Sequence, residues 1–233
     1  MQRDTQFFDL LEACAQPGCP VCRLSLKTAQ RYLAGILYEF VNDAGIRDGI
    51  RQARGYCNEH AWWMANDRIH QLGIALIQQD MVETILAATE PLPNGRNVRQ
   101  SAQELLKRLR PTAECPVCAH VRTMEDIALC ALLKYIGDPD LAAALENSDG
   151  LCLAHFSRAL ELMNDADTLK RLMALQRNTL TRLRDELAEF IRKNDYRFRD
   201  EEFGKEGDSW RRAIGIVSSG RGVRHLHCAQ AQV

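Results

Sequence analysis

Apolar residues recur along most of this chain at three- and four-residue intervals, the spacing of helices with one buried face. Ala29, Tyr32, Leu33, Ile36, Leu37 and Phe40 form one such stripe, and Val121, Met124, Ala128, Leu132 and Tyr135 form a second. The longest joins Leu169, Leu172, Met173, Leu180, Leu183, Leu187 and Phe190, and a shorter counterpart is expected from about 68 to 89. Short helices are expected over 5–14 and 101–110. Ser101-Ala102-Gln103-Glu104 reads as a capping box for the second, with Thr5 at the matching place in the first. Segments 43–54 and 138–149 read as short polar connections. No stretch alternates with period two and β-branched residues are sparse, so the pattern predicts an all-α fold.

The stripes come in two copies. A shift of 96 residues places Thr5 on Ser101 and Leu10 on Leu106; further along the shift becomes 95, so one residue is missing from the second copy. The expected organisation is two tandem, pseudo-symmetric helical units packed as a bundle. The first covers 1–90, a linker 91–100 and the second unit 101–194, with a strap, short helix and tail over 195–233. The run Glu90-Pro91-Leu92-Pro93-Asn94-Gly95 has turn composition. Asp195 to Asp208 reads as an extended strap, and Asp208-Ser209 as the start of a short helix reaching Val217, expected to dock back on the helices.

Composition changes this picture little. Hydrophobic residues are 46% and charged residues 26%, with a net charge of −1, so no global field points to nucleic acid or an anionic membrane. The N-terminus lacks the basic-then-apolar layout of a signal peptide, and no apolar run approaches a membrane span. A cytoplasmic location is expected, where paired cysteines are metal ligands or redox groups more often than disulfides.

The candidate chemistry is a duplicated pattern: Cys19-Pro20-Val21-Cys22 with Cys57-Asn58-Glu59-His60, then Cys115-Pro116-Val117-Cys118 with Cys152-Leu153-Ala154-His155. Each copy supplies three thiolates and one imidazole, a closed set suited to structural zinc. The prolines suit the first turn of a helix, and a helix start favours thiolate over thiol. In CxxH the two ligands lie on one helical face. The expectation is two zinc ions per chain, one per repeat, each joining the CPVC of its repeat to the CxxH more than thirty residues on.

An iron–sulfur cluster is the alternative. Cys14, Cys19 and Cys22 reproduce the C-x4-C-x2-C spacing of plant-type ferredoxins, but the second copy has Arg110 in place of Cys14. A thioredoxin-type dithiol lacks its strand context and leaves CxxH unexplained, and covalent haem lacks its CxxCH. No Glu-x-x-His, G-x-S-x-G, Walker A or G-x-G-x-x-G sequence is present.

Other groups near the motifs read as structural. His120 is expected to be a partly exposed helix residue, His70 to pair with Asp67, and Cys130 to be a small core residue. Trp62 and Trp63 are expected to pack around the metal knuckle. His225-Leu226-His227-Cys228 looks like a chelating tract with no upstream partner. Arg211, Arg212, Arg221 and Arg224 make the C-terminus locally basic without interleaved aromatics, a weak nucleic-acid signal.

Paired CPxC and CxxH motifs about 95 residues apart in a helical chain resemble an uncharacterised bacterial family, a domain of unknown function. Tyr196-Arg197-Phe198-Arg199 and Gly207-Asp208-Ser209-Trp210-Arg211-Arg212 are similar to that family's C-terminal block. The resemblance covers roughly 5–217, is specific at the eight ligand positions, and implies metal sites but no substrate. The functional expectation is a non-enzymatic interaction or regulatory module with a protein partner. The rival is an iron–sulfur or thiol-redox protein in electron transfer or redox sensing.

Overall fold

The computed structural model describes residues 2–92 and 97–223. Among these it holds eleven α-helices, two 3-10 turns and no strand. The helices are α1 (Thr5–Cys14), α2 (Pro20–Tyr38), α3 (Ala44–Gln52), α4 (Asn58–Ala65), α5 (Gln71–Thr89), α6 (Val98–Leu109), α7 (Pro116–Tyr135), α8 (Pro139–Asn147), α9 (Leu153–Glu161), α10 (Ala166–Lys193) and α11 (Ser209–Ser218). The all-α expectation holds, and α1 to α5 repeat as α6 to α10.

Several local expectations are corrected. The polar segments 43–54 and 138–149 contain α3 and α8. Each is nine residues long and starts on an aspartate: Asp43 Oδ1 accepts from Ile46 N at 2.8 Å, and Asp138 Oδ1 from Asp140 N at 3.0 Å. Their apolar content is one or two buried residues (Ile50; Leu141 and Leu145), too little to show as a stripe. The helix starts also move. Asp4 caps α1 through Phe7 N, and Asn97 caps α6 through Gln100 N, so Thr5 and Ser101 lie inside their helices. The strap is not extended; it folds into 3-10 turns at Tyr196–Phe198 and Lys205–Asp208.

The chain forms two compact units, neither of which is a sequence repeat. Unit 1 comprises Met1–Lys27 with Met124–Val233, and unit 2 comprises Thr28–Thr123. In unit 1, Phe7, Leu10, Leu129, Leu132, Tyr135, Leu141 and Leu151 form the core, and the rings of Phe7 and Tyr135 meet edge to face at 5.2 Å. Helix α8 packs on α1 and α10, and α11 packs on α9 and α10. Ile216 and Ser209 are the buried side of α11, while Trp210 is exposed.

In unit 2, α5 packs against α3 and α6, and Ile36, Ile50, Met64 and Ile77 are buried. Arg47 and Arg51 converge on Asp80 at 3.1 and 3.0 Å and tie α3 to α5. Each CPVC helix starts in one unit and ends in the other: α2 has its first turns in unit 1, α7 in unit 2.

Candidate metal centres

The eight ligand candidates fall into two groups: Cys19, Cys22, Cys152 and His155 in unit 1, and Cys57, His60, Cys115 and Cys118 in unit 2. The sequence expectation had joined each CPVC to the CxxH of its own repeat. The structure exchanges the halves. Helix length explains this: α2 carries the chain roughly 28 Å from its CPVC, and α3, the nine-residue helix that follows, spans only roughly 14 Å. Cys57 is therefore delivered near the far end of α2. There it meets the start of α7, whose His120 ring stacks on Tyr32 of α2 at 4.5 Å. In unit 1 the roles are reversed, with Ser25 on the first turns of α2 beside Glu125 on α7 at 2.6 Å.

All four ligand pairs use one local geometry. Cys19, Cys57, Cys115 and Cys152 stand immediately before α2, α4, α7 and α9, and their partners lie three residues later. The first helical hydrogen bonds confirm these starts, with Arg23 N donating to Cys19 O and Ala119 N to Cys115 O at 3.1 and 3.0 Å. Pro20 and Pro116 occupy first helical positions, where no amide hydrogen is needed. Each centre thus unites two helix N-termini, whose free amides and dipoles favour thiolate. Gly55 and Gly150 turn the chain into α4 and α9 at φ +99° and +72°. These left-handed values explain a glycine two residues ahead of each CxxH.

The distances fit four donors facing one point. His155 Nδ1 lies 3.5, 3.4 and 3.2 Å from the sulfurs of Cys19, Cys22 and Cys152, and Cys22 Sγ lies 3.7 Å from Cys152 Sγ. His60 Nδ1 lies 3.2, 3.6 and 3.4 Å from Cys57, Cys115 and Cys118, with 3.7 Å between the sulfurs of Cys57 and Cys118. One ring nitrogen has a single hydrogen or a single lone pair, so it cannot hydrogen-bond three sulfurs at once. Around one tetrahedral ion with zinc-like bond lengths, sulfurs would stand about 3.8 Å apart and sulfur to nitrogen about 3.6 Å. The residues therefore fit a single ion in each centre.

Electrostatics favour the same occupant. Burial pushes the Cys19 thiol well up, and its neighbours Cys152 and Cys22 add to this. Burial opposes charge on His155, yet the close Cys152, Cys22 and Glu125 side chains outweigh it and raise the imidazole to about 11. His60 is raised to about 9, with Cys115 and Cys57 outweighing its burial. In unit 2 the contact with Cys115 pulls Cys57 far down. A divalent cation held by these residues would resolve the conflict by neutralising the thiolates, since metal ligands are thiolate and neutral imidazole.

Outside the donors the centres differ. In unit 1, His155 Nε2 lies 3.3 Å from Glu125 Oε1, which also accepts from Ser25 Oγ. Were His155 to hold a metal through Nδ1, this carboxylate would stand behind the ring, where it would fix its orientation and strengthen the ligand. Ser219 Oγ donates to Cys152 Sγ at 3.2 Å, and Gly220 N to Cys22 Sγ at 3.5 Å, so the chain after α11 lies over the sulfurs. Gln176 on α10 satisfies both backbone groups of Leu151, accepting from Leu151 N at 3.1 Å and donating to Leu151 O at 2.9 Å. None of these residues stood out in the sequence; their one signal is that the first copy lacks Glu125 and Gln176, having Ala29 and Met81 instead.

The other candidates sort as follows. Cys14 is buried outside both groups, with its thiol pushed up to about 12 by burial, so the ferredoxin-like spacing is not assembled. His120 lies on the surface outside the groups, and His70 pairs with Asp67 at 2.8 Å, as expected. Cys130 is exposed, not a core residue: it lies on the outer side of α7, next to buried Leu129. Trp63 meets His60 edge-on at 5.7 Å, but Trp62 points outward at 66% exposure because successive helical residues diverge by about 100°. Residues His225 to Cys228 lie outside the described residues.

The profile of a family described as of unknown function, DUF6062, matches residues 1–223. An "Uncharacterized 23.9 kDa protein in xynA 3'region" of Caldicellulosiruptor sp. (strain Rt8B.4) is 23% identical over 192 residues, covering 81% of this chain and 88% of the relative. No solved structure matches.

Proposed function

We propose, for a chain that belongs to the DUF6062 family of unknown function and takes no activity from it, a non-enzymatic interaction or regulatory role supported by two structural Zn(Cys3His) centres. One observation carries this reading: in each centre the four ligand atoms lie within 4.8 Å of one another. Four protein donors around one ion leave no position for water or substrate, the mark of structural rather than catalytic zinc. The same compactness disfavours the iron–sulfur alternative, because cluster ligands sit on different irons and spread around the whole cluster.

Zinc is favoured over other single ions because thiolate and imidazole in a tetrahedral set suit it, and it brings no redox chemistry. A protein partner is the expected ligand of the module. Among the described residues no helix is long and apolar enough to cross a membrane, which is compatible with the cytoplasmic site of action proposed here.

The test is anaerobic purification, metal analysis and an absorption spectrum. Two zinc per chain with no visible band is the expected result. A brown protein absorbing near ~400 nm would replace this reading with the cluster alternative.

A further inference from the structure

The pseudo-symmetry of the repeats does not extend to the surroundings of the two centres. In unit 1 all four donors are buried, and Cys152 has no exposure. The Glu125 carboxylate and the Ser25 hydroxyl support His155, and Ser219 and Gly220 place an O–H and an N–H on the sulfurs. In unit 2, Cys57 is only partly buried. Ala29 and Val121 occupy the places of Glu125 and Ser25, and Met81 that of Gln176. The extended buried core of seventeen residues lies in unit 1.

From these differences we infer that the centres have unequal roles: the unit 1 centre is a permanent staple, and the unit 2 centre is exchangeable, so that metal availability controls whether unit 2 is folded. This rests on the metal-binding reading above. The route is ligand exchange. A competing chelator approaches the ion from the partly exposed side, displaces the Cys57 thiolate, and then takes the ion from His60, Cys115 and Cys118. No electron changes hands; the released sulfurs take up protons from water. In unit 1 the same attack meets a buried sulfur held by donors from the C-terminal segment. With its cross-link gone, unit 2 no longer ties the start of α4 to the start of α7, and a site that contributes folding energy takes that energy with it.

The experiment uses the full chain loaded with two equivalents of zinc and challenged with EDTA. Portions are alkylated with N-ethylmaleimide at timed intervals, and the label is mapped to individual cysteines by mass spectrometry. Cys130, exposed and outside both centres, reports the reagent's own rate. The expected result is release of Cys57, Cys115 and Cys118 about ten- to a hundredfold faster than Cys19, Cys22 and Cys152, the range set by loss of outer-shell support. Hydrogen exchange in α4 and α5 should rise with the first phase while α8 and α9 stay protected. Glu125→Gln should narrow the gap by speeding the unit 1 set, and Ser219→Ala should do so without touching the histidine's partner.

Equal rates for the two sets, or release of the unit 1 set first, would overturn the inference and leave the metal reading intact. Alkylation of all six cysteines at the Cys130 rate before EDTA, with no zinc by metal analysis, would overturn both.

Discussion

Cys22 Sγ and Cys152 Sγ lie 3.7 Å apart although 130 positions separate them in the chain. Cys22 belongs to the first copy of the repeat and Cys152 to the second, so the contact shows the exchange of motif halves at its most direct. It also makes the folding of unit 1 a long-range problem, because the loop closed by that pair spans more than half the chain.

The exchange predicts which cysteines are released together. Cys152→Ser should expose Cys19 and Cys22 to maleimide and leave Cys115 and Cys118 protected. Pairing within a repeat would give the opposite pattern. Peptide mapping of the alkylated zinc-loaded protein reads the answer directly.

Gln176 should matter beyond its polarity. It satisfies both backbone groups of Leu151 just before the CxxH of unit 1. Gln176→Leu leaves a buried donor and a buried acceptor unpaired, at a cost of about 2–4 kcal/mol. The equivalent change in the first copy, Met81→Leu, exchanges one apolar side chain for another and should cost under about 1.5 kcal/mol. Urea denaturation of the two variants compares them. Similar losses would mean that the side-chain clasp on Leu151 contributes little.

The glycines ahead of each CxxH should differ in the same sense. Both have left-handed φ values, but a Cβ on Gly55 meets nothing within 4 Å, whereas on Gly150 it meets Thr179 Cγ2 at 3.0 Å and Gln176 Oε1 at 3.3 Å. Gly55→Ala should cost about 1–2 kcal/mol from the backbone alone. Gly150→Ala adds the clash and should cost roughly 2–4 kcal/mol. Thermal unfolding with zinc held in excess gives the ranking.

Acid should loosen the C-terminal block at one identifiable contact. Lys193 donates to Glu206 at 2.7 Å, and with Gly204 N holds that carboxyl at about 2, below its ordinary 4.5. A lowered folded value means the carboxylate stabilises the fold above its unfolded value and loses that contribution as pH falls from about 4.5 toward 2. Release of the second 3-10 turn from α10 over that interval is expected, measured by Trp210 fluorescence, and Glu206→Gln should flatten the pH response. An unchanged profile in the variant would assign the acid transition elsewhere.

Much of this molecule is legible in its sequence. Spacing of three and four residues marks α2, α5, α7 and α10, because a helix buries a stripe long enough to see. CxxC and CxxH mark the eight residues that the structure gathers into two groups, because two side chains three apart share one face of a helix start. Gly55 and Gly150 stand two residues ahead of each CxxH, though their left-handed φ is a finding of the structure. These are local facts, fixed by neighbours along the chain.

What the tertiary structure alone decided is which halves meet. Cys19 and Cys22 are equally compatible with either CxxH, and the choice follows from the length of α2 and α7 against the short return of α3 and α8. The same holds for Glu125, Ser219 and Gln176. Nothing in their own sequence surroundings marks them, since a carboxylate behind a histidine or a hydroxyl over a sulfur is defined by residues far away in the chain. The sequence by itself marked the long helices and the eight Cys and His positions; packing added the short helices α3 and α8 and decided which halves meet, and with that the difference between the two groups.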